Sequence, residues 1–180
     1  MLEIRWHGRG GQGAFTAAKI LGASASLYEN KYALAFPSFG PERRGAPIQA
    51  FTKIDEKKII DRSEVHTCDY IIFLDETLFY PAVMNDLKLG GKVIVNSAHP
   101  DNYKAYGEAL RTVDANDLAH RILKRSITNT AMLGALAGVS GVISVDSALS
   151  GAGNYFSGGL LEKNREIILQ AYQAVKEGIQ

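Results

Sequence analysis

The chain has one cysteine, Cys68, in 180 residues. It closes no internal disulfide, and one thiolate cannot by itself hold a structural zinc or an iron–sulfur cluster, so any redox metal belongs to another polypeptide. Charge of one sign is also missing. Twenty Lys and Arg against nineteen Asp and Glu leave a formal charge of +1, which supplies neither a basic field for bulk nucleic-acid binding nor a charged tail. Nucleic acid is therefore excluded as the main partner. No apolar run approaches the length of a membrane span, and the N-terminal stretch, with Glu3, Arg5 and Trp6, lacks the apolar core of a secretory signal. The expectation is a cytoplasmic protein with no membrane contact.

What is present suits one domain over residues 1–180, with 46% hydrophobic and 22% charged residues, enough to bury a large core. Leu2 to Trp6 reads as a strand and Ala14 to Tyr28 as a helix whose Ala17, Ile20, Leu21, Ser24 and Leu27 form an inward stripe. Tyr32 to Phe36, Pro47 to Ile54, Asp69 to Leu74, Lys92 to Val95 and Leu110 to Val113 read as strands. Phe79 to Leu89 reads as a helix ended by Gly90 and Gly91. Asp114 is placed to cap a helix from Ala115 to Leu123. A small-residue helix over Asn129 to Val139, capped by Asn129 and Thr130, and an amphipathic one over Leu160 to Lys176 complete the chain, with Gly151 to Gly159 as a loop between them. Strands alternating with helices predict a three-layer α/β/α sandwich with a mostly parallel central sheet.

Chemistry concentrates in two loops. His7-Gly8-Arg9-Gly10-Gly11-Gln12-Gly13 joins the first strand to the first helix, and Gly8, Gly10 and Gly13 satisfy G-x-G-x-x-G. Glycines there allow positive φ and close backbone approach, and the N–H groups of the helix beginning near Ala14 favour an anion. A P-loop is excluded, because Ala14 and Phe15 follow Gly13 where Lys and Ser or Thr are required. A dinucleotide site wants an acid about 20 residues on; the nearest, Glu42, lies farther along between arginines. A self-sufficient nucleotide-binding protein thus remains only as the competing reading. The second loop, Phe39-Gly40-Pro41-Glu42-Arg43-Arg44-Gly45-Ala46-Pro47, offers two guanidinium forks beside Phe36 and Phe39, a mixture suited to a phosphate, a carboxylate or an interface. Pairing of one arginine with Glu42 in a solvated turn is the plain alternative.

Other polar groups carry plainer readings. His7 either meets a ligand or holds its own turn. Asn96, Ser97 and His99 follow a strand's carboxyl end, where open α/β sheets bind ligands, yet they are also good turn formers, the reading preferred here. Asp75, Glu76 and Thr77 end the central strand and suit a helix cap. His66 and Cys68 are two candidate metal ligands, too few for a site. Ala131, Gly134, Ala135 and Gly138 permit close packing against a neighbour in this chain or another.

The two loops, together with Asn129-Thr130-Ala131-Met132-Leu133-Gly134-Ala135 and the final helix, resemble the gamma subunits of the thiamine-diphosphate 2-oxoacid:ferredoxin oxidoreductases over essentially the whole chain. Arg43-Arg44-Gly45-Ala46-Pro47 is most similar to the pyruvate and branched-chain 2-oxoacid types; Phe15 is larger than the pattern expects. The resemblance implies a complex converting pyruvate, coenzyme A and oxidised ferredoxin to acetyl-CoA, CO2 and reduced ferredoxin, reversibly, or acting on 2-oxoisovalerate. Thiamine diphosphate, Mg and iron–sulfur clusters would belong to the assembled complex of alpha, beta and delta subunits, since this chain has neither a Gly-Asp-Gly signature nor a cysteine set. Gly8, Arg9, Gly10, Gly11, Gln12, Gly13, Arg43 and Arg44 are the expected cofactor-facing residues. No catalytic residue and no metal ligand are expected, and the isolated chain is expected to be inactive.

Overall fold

Alternation along the first strand divides the molecule into its layers. In the computed structural model, which describes residues 1–38 and 44–178, strand β1 spans Leu2–Arg9. Ile4 and Trp6 turn to one face and join the larger apolar cluster, so the intervening Glu3, Arg5, His7 and Arg9 turn to the other. The remaining strands are β2 (Tyr32–Pro37), β3 (Pro47–Asp55), β4 (Cys68–Phe73), β5 (Leu87–Asn96) and β6 (Leu110–Val113). They form one sheet in the order β2-β3-β1-β4-β5-β6. From β1 through β6 the neighbours run parallel, whereas β3 is antiparallel to both β1 and β2. The sheet is mixed, and its carboxyl end gathers the β1 turn, the end of β4 and the start of β3.

Helices α1 (Ala14–Tyr28), α2 (Ala115–Leu123), α3 (Asn129–Ser140), α4 (Val145–Ala152) and α5 (Gly158–Glu177) supply the helical layer. The opposite layer consists of short 3₁₀ segments at Glu76–Leu78, Pro81–Asp86 and Pro100–Ala109. Beneath it Phe51, Ile71, Phe73, Val93 and Val95 form a second core with Phe79, Tyr103 and Tyr106. Glycines of α3 decide how closely the helices pack. A Cβ on Gly134 would lie 2.2 Å from Ile168 O, and one on Gly138 would lie 2.4 Å from Val175 Cγ2. The neighbour that the small-residue helix was built to meet is therefore α5 of the same chain.

Four sequence expectations change. Phe79 to Leu89 is not a helix. It contains the 3₁₀ segment and the first residues of β5, because pairing of Leu87 with Cys68 and a register shift opposite Cys68 and Tyr70 carry the strand through Gly90 and Gly91. Gly90 has φ +79°, so the pair makes a bulge. Part of the expected Gly151 to Gly159 loop belongs to α4, which Ser144 caps through Ser147 N–H. Gly151 serves packing, since a Cβ there would meet Ser24 Oγ at 2.1 Å. Leu27, placed on the inward stripe, is 62% exposed. Finally, Thr128 occupies the α3 cap position, and Asn129 Oδ1 accepts from Thr130 N–H inside the helix.

Candidate anion-facing site at the glycine turn

The glycine turn is held by its own polar residues. Arg9 N–H donates to Gln12 Oε1 at 2.7 Å, and Gln12 Nε2 donates to Asp75 Oδ2 at 3.2 Å. The Arg9 guanidinium spans the turn, donating from Nε to Asp75 Oδ2 (2.9 Å), from Nη1 to Gly45 O (3.2 Å) and from Nη2 to Thr77 Oγ1 (2.9 Å). Partial burial pushes the Asp75 carboxyl up, but hydrogen bonds from Thr77, Gln12 and Arg9 outweigh it and hold the group below the usual carboxylate range. Gly10 N–H donates to Ala46 O and Gly45 N–H to Gly10 O, and Gly10 bridges Arg44. The two loops singled out in the sequence thus meet. Gly11 (φ +97°) and Gly13 (φ +85°) supply the left-handed positions, while Gly8 keeps the strand close to Ala14. Arg44 is exposed. Arg43 lies outside the described residues.

Three helix starts gather beside this turn, and they share a property that the other two lack. Asp114 caps α2 and Ser144 caps α4 with side-chain hydrogen bonds, whereas the cap residues of α1, α3 and α5 make none, and in α3 only Thr130 N–H is met, by Asn129 Oδ1 one residue inside. A Cβ on Gly13 would lie 2.6 Å from Asn129 Nδ2, so the starts of α1 and α3 touch. Thr130 Oγ1 donates to Asn164 Oδ1 at 2.8 Å and ties α3 to α5. Between the starts of α3 and α5 opens a pocket of about 440 Å³ with apolar walls from Leu123, Ile127, Phe156 and Leu160 and polar groups from Arg125, Asn129, Lys163 and Asn164. Asn129 is 4% exposed, and its Nδ2 has no hydrogen-bond partner among the described residues. Unsatisfied first-turn N–H groups carry partial positive charge; with a free amide donor and two cations at the rim they suit an anion with several oxygens, such as a phosphate.

On the opposite face of β1 an open cleft of about 550 Å³ is lined by His7, Ser38, Gln49, Thr77, Phe79 and Tyr80. His7 stacks on Phe73 with ring centroids 4.4 Å apart, and its Nε2 accepts from Arg5 Nε at 3.0 Å. Burial, and then the adjacent Arg5 guanidinium, lower its pKa from 6.5 to about 3, only partly offset by Asp86. The cleft floor is thus a neutral imidazole. Arg5 itself is buried and held by Asp86 and the carbonyls of Val65 and His66.

The other candidates are structural. Asn96 Nδ2 donates to Leu74 O and its Oδ1 accepts from Asn116 N–H, joining β4 to α2. Ser97 Oγ donates to Glu76 and accepts from His99 N–H, the turn chemistry preferred from the sequence. Asp75 caps the following 3₁₀ segment through Thr77 N–H. Cys68 is buried, its thiol pushed up to about 11 by desolvation. Phe15 is accommodated half-buried with Lys19 Nζ 4.8 Å above its ring. Two features were missed in the sequence, Asp75 as the hub of the turn and Asn129 as its neighbour, because both depend on residues more than 60 positions apart.

The fold defines a single α/β domain in which the glycine turn and the starts of α1 and α3 meet at the carboxyl end of the sheet. The chain belongs to the pyruvate ferredoxin/flavodoxin oxidoreductase family, whose model matches residues 3–174. It is 47% identical over 176 residues to the pyruvate synthase subunit PorC of Methanocaldococcus jannaschii, covering 96% of each chain. It is 46% identical over 178 residues to the pyruvate/ketoisovalerate oxidoreductases common subunit gamma of Thermococcus kodakarensis, again covering 96% of each. The crystal structure of pyruvate oxidoreductase subunit PORC from Thermotoga maritima matches with a TM-score of 0.82 at 34% identity, covering 96% of this chain and 95% of that one.

Proposed function

We propose that this chain is the gamma subunit of a multisubunit pyruvate:ferredoxin oxidoreductase, a single functional domain over residues 1–180, which takes up coenzyme A for the reversible conversion of pyruvate to acetyl-CoA and CO2 with reduction of ferredoxin. The observation that carries this role is the gathering, around the unpaired Nδ2 of Asn129, of three helix starts whose cap residues make no side-chain capping hydrogen bond. Coenzyme A is the phosphate-bearing substrate of the reaction, and the pocket offers its phosphates donors from Asn129, charge from Arg125 and Lys163, and the first-turn N–H groups of α3 and α5. Gly10, Gly11 and Gly13 keep the adjoining turn free of side chains, and Arg44 extends the positive surface. Arg9 and Gln12 act by holding the turn in place. One cysteine cannot by itself supply the ligand set of an iron–sulfur cluster. On this reading the clusters, magnesium and thiamine diphosphate belong to the alpha, beta and delta subunits, where thiamine diphosphate would supply the carbanion chemistry. The subunit is read as cytoplasmic; among the described residues no helix is long and apolar enough to cross a membrane.

A second substrate has a specific observation behind it: relatives at 44–46% identity are named as a gamma subunit common to pyruvate and ketoisovalerate oxidoreductases. One chain serving two activities fits a subunit that handles coenzyme A and leaves the 2-oxoacid to its partners. Steady-state assays of the assembled complex with pyruvate and with 2-oxoisovalerate test both readings. Asn129→Asp, which sets a carboxylate against the phosphate, and Lys163→Ala, which removes one charge-assisted bond of about 1.5–3 kcal/mol, are expected to raise the coenzyme A KM at least about tenfold. Arg44→Ala is expected to act in the same direction, and loss of subunit pull-down in that variant would assign Arg44 to an interface instead. The 2-oxoacid KM stays unchanged. Wild-type coenzyme A kinetics in both Asn129→Asp and Lys163→Ala would refute the assignment.

A further inference from the structure

The sheet ends on β2, and among the described residues no strand pairs with its outer edge. Ser38 N–H donates to Gln49 O at 2.9 Å. In the alternating antiparallel ladder, Tyr32, Leu34 and Phe36 therefore turn their backbone groups toward β3, and Ala33 and Ala35 turn theirs outward. Exposed edges are ordinarily blunted by charge, a bulge or a covering segment. Tyr32–Pro37 carries no charged side chain and pairs with β3 without a register shift; only Pro37 interrupts one end. Beside this edge α1 leaves a groove of about 260 Å³ floored by Gly22, Ala23, Ala33 and Ala35 and bordered by Leu27, Ser26, Tyr155 and Lys19, whose Nζ lies over the Tyr155 ring. Apolar surface flanks the edge on both faces of the sheet: Leu27 (62% exposed), Tyr28 (47%) and Tyr155 (38%) on the α1 side, and Tyr32 (51%), which alternates with Ala33 and Ala35, on the other. These four side chains offer about 400 Å² per copy, roughly half of the ~800 Å² that each partner contributes to a standard interface, before the strand edge itself is counted.

We infer that this edge seats a second copy of the same chain, with β2 paired antiparallel to its twofold mate so that the two sheets become continuous. Twofold pairing is the arrangement the strand's own sequence satisfies. Leu34 falls opposite Leu34 of the second copy, Tyr32 falls opposite its Phe36, and the outward amides and carbonyls of Ala33 and Ala35 bond to one another across the seam. Along the paired strands no like charges meet, and aromatic faces aromatic. Alanines on the α1 side let the flanking helices approach, where Leu27 and the groove leave water. The apolar side chain that the helical stripe assigned to the core is in this way a contact between copies. The inference uses none of the coenzyme A residues and stands apart from that reading.

Pairing about Leu34 makes it a non-hydrogen-bonded cross-strand position, where side chains come closest and a disulfide is sterically accessible. Leu34→Cys, introduced into the full chain and into the assembled complex, is expected to give under mild oxidation a self-linked species of about twice the 19.5 kDa chain. Leu89→Cys, fully exposed on β5, serves as the collision control and is expected to stay unlinked; Cys68 is buried. Ala35→Pro removes an outward N–H and is compatible with an edge strand, so it is expected to turn a dimer into a folded monomer in sedimentation equilibrium, with a melting temperature that no longer rises with protein concentration. Absence of self-linking at Leu34, equal linking at Leu89, linking of position 34 to a different subunit, or a wild-type monomer at micromolar concentration would each overturn the inference.

Discussion

Lowering the pH from 8 to 5 should destabilise this protein through His7, and the size of the effect follows from where the ring sits. His7 is buried against Phe73 with Arg5 as its donor, which favours the neutral imidazole and takes its pKa from 6.5 to about 3. Because the folded value lies below the unfolded one, the unfolded chain takes up its proton first as pH falls. The stability contribution is complete and constant above pH 6.5, declines between 6.5 and about 3, and levels off below. Each pH unit in that window costs about 1.4 kcal/mol, so the protein should be ~2 kcal/mol less stable at pH 5 than at pH 8. For a chain of this size that corresponds to a melting temperature lower by about 4–8 °C. His7→Gln keeps an acceptor for Arg5 Nε and removes the titration. Urea denaturation of both proteins at pH 8 and pH 5 is the assay, and the difference between their pH responses isolates His7. An equal loss in His7→Gln, or a wild type whose stability is flat across this range, would show that the ring is solvated or carries its charge, and the neutral cleft floor would be wrong.

The glycine turn yields a paired prediction. Gly11→Ala, at φ +97° with open space around it, isolates backbone strain of about 1–2 kcal/mol, whereas Gly13→Ala adds a contact 2.6 Å from Asn129 Nδ2 and should cost more in urea denaturation while also raising the coenzyme A KM. Equal effects of the two on stability would mean that Gly13 and Asn129 do not touch. Gly134→Ala drives a methyl to within 2.2 Å of Ile168 O, and since a backbone carbonyl cannot swing aside without moving its helix it should cost about 3 kcal/mol or more; a variant within 0.5 kcal/mol of wild type, roughly the scatter of surface substitutions, would refute the tight packing of α3 on α5.

Local pattern and composition determined a large part of this protein. Ala14 to Tyr28, Pro47 to Ile54 and Leu110 to Val113 were legible because each is bounded by its own turn chemistry and carries the period of its element, and Asp114 announces α2 because a cap acts over three residues. The glycine turn was legible for the same reason: positive φ at Gly11 and Gly13 is a property of those residues. Tertiary structure decided what each glycine was for. Gly90 and Gly91 continue a strand because β4 pairs with it, Gly151 lets α4 reach Ser24, and Gly134 lets α5 reach α3. It also decided which polar residues are free. Arg9 and Gln12 look available in the sequence and are occupied by Asp75, whereas Asn129, which reads as a cap, keeps an amide open to the pocket. Thr128 and Ser157 are cap residues by type, yet neither caps its helix. A side chain's type sets what it can bond; only the fold brings the partner within 3 Å or leaves the bond unmade.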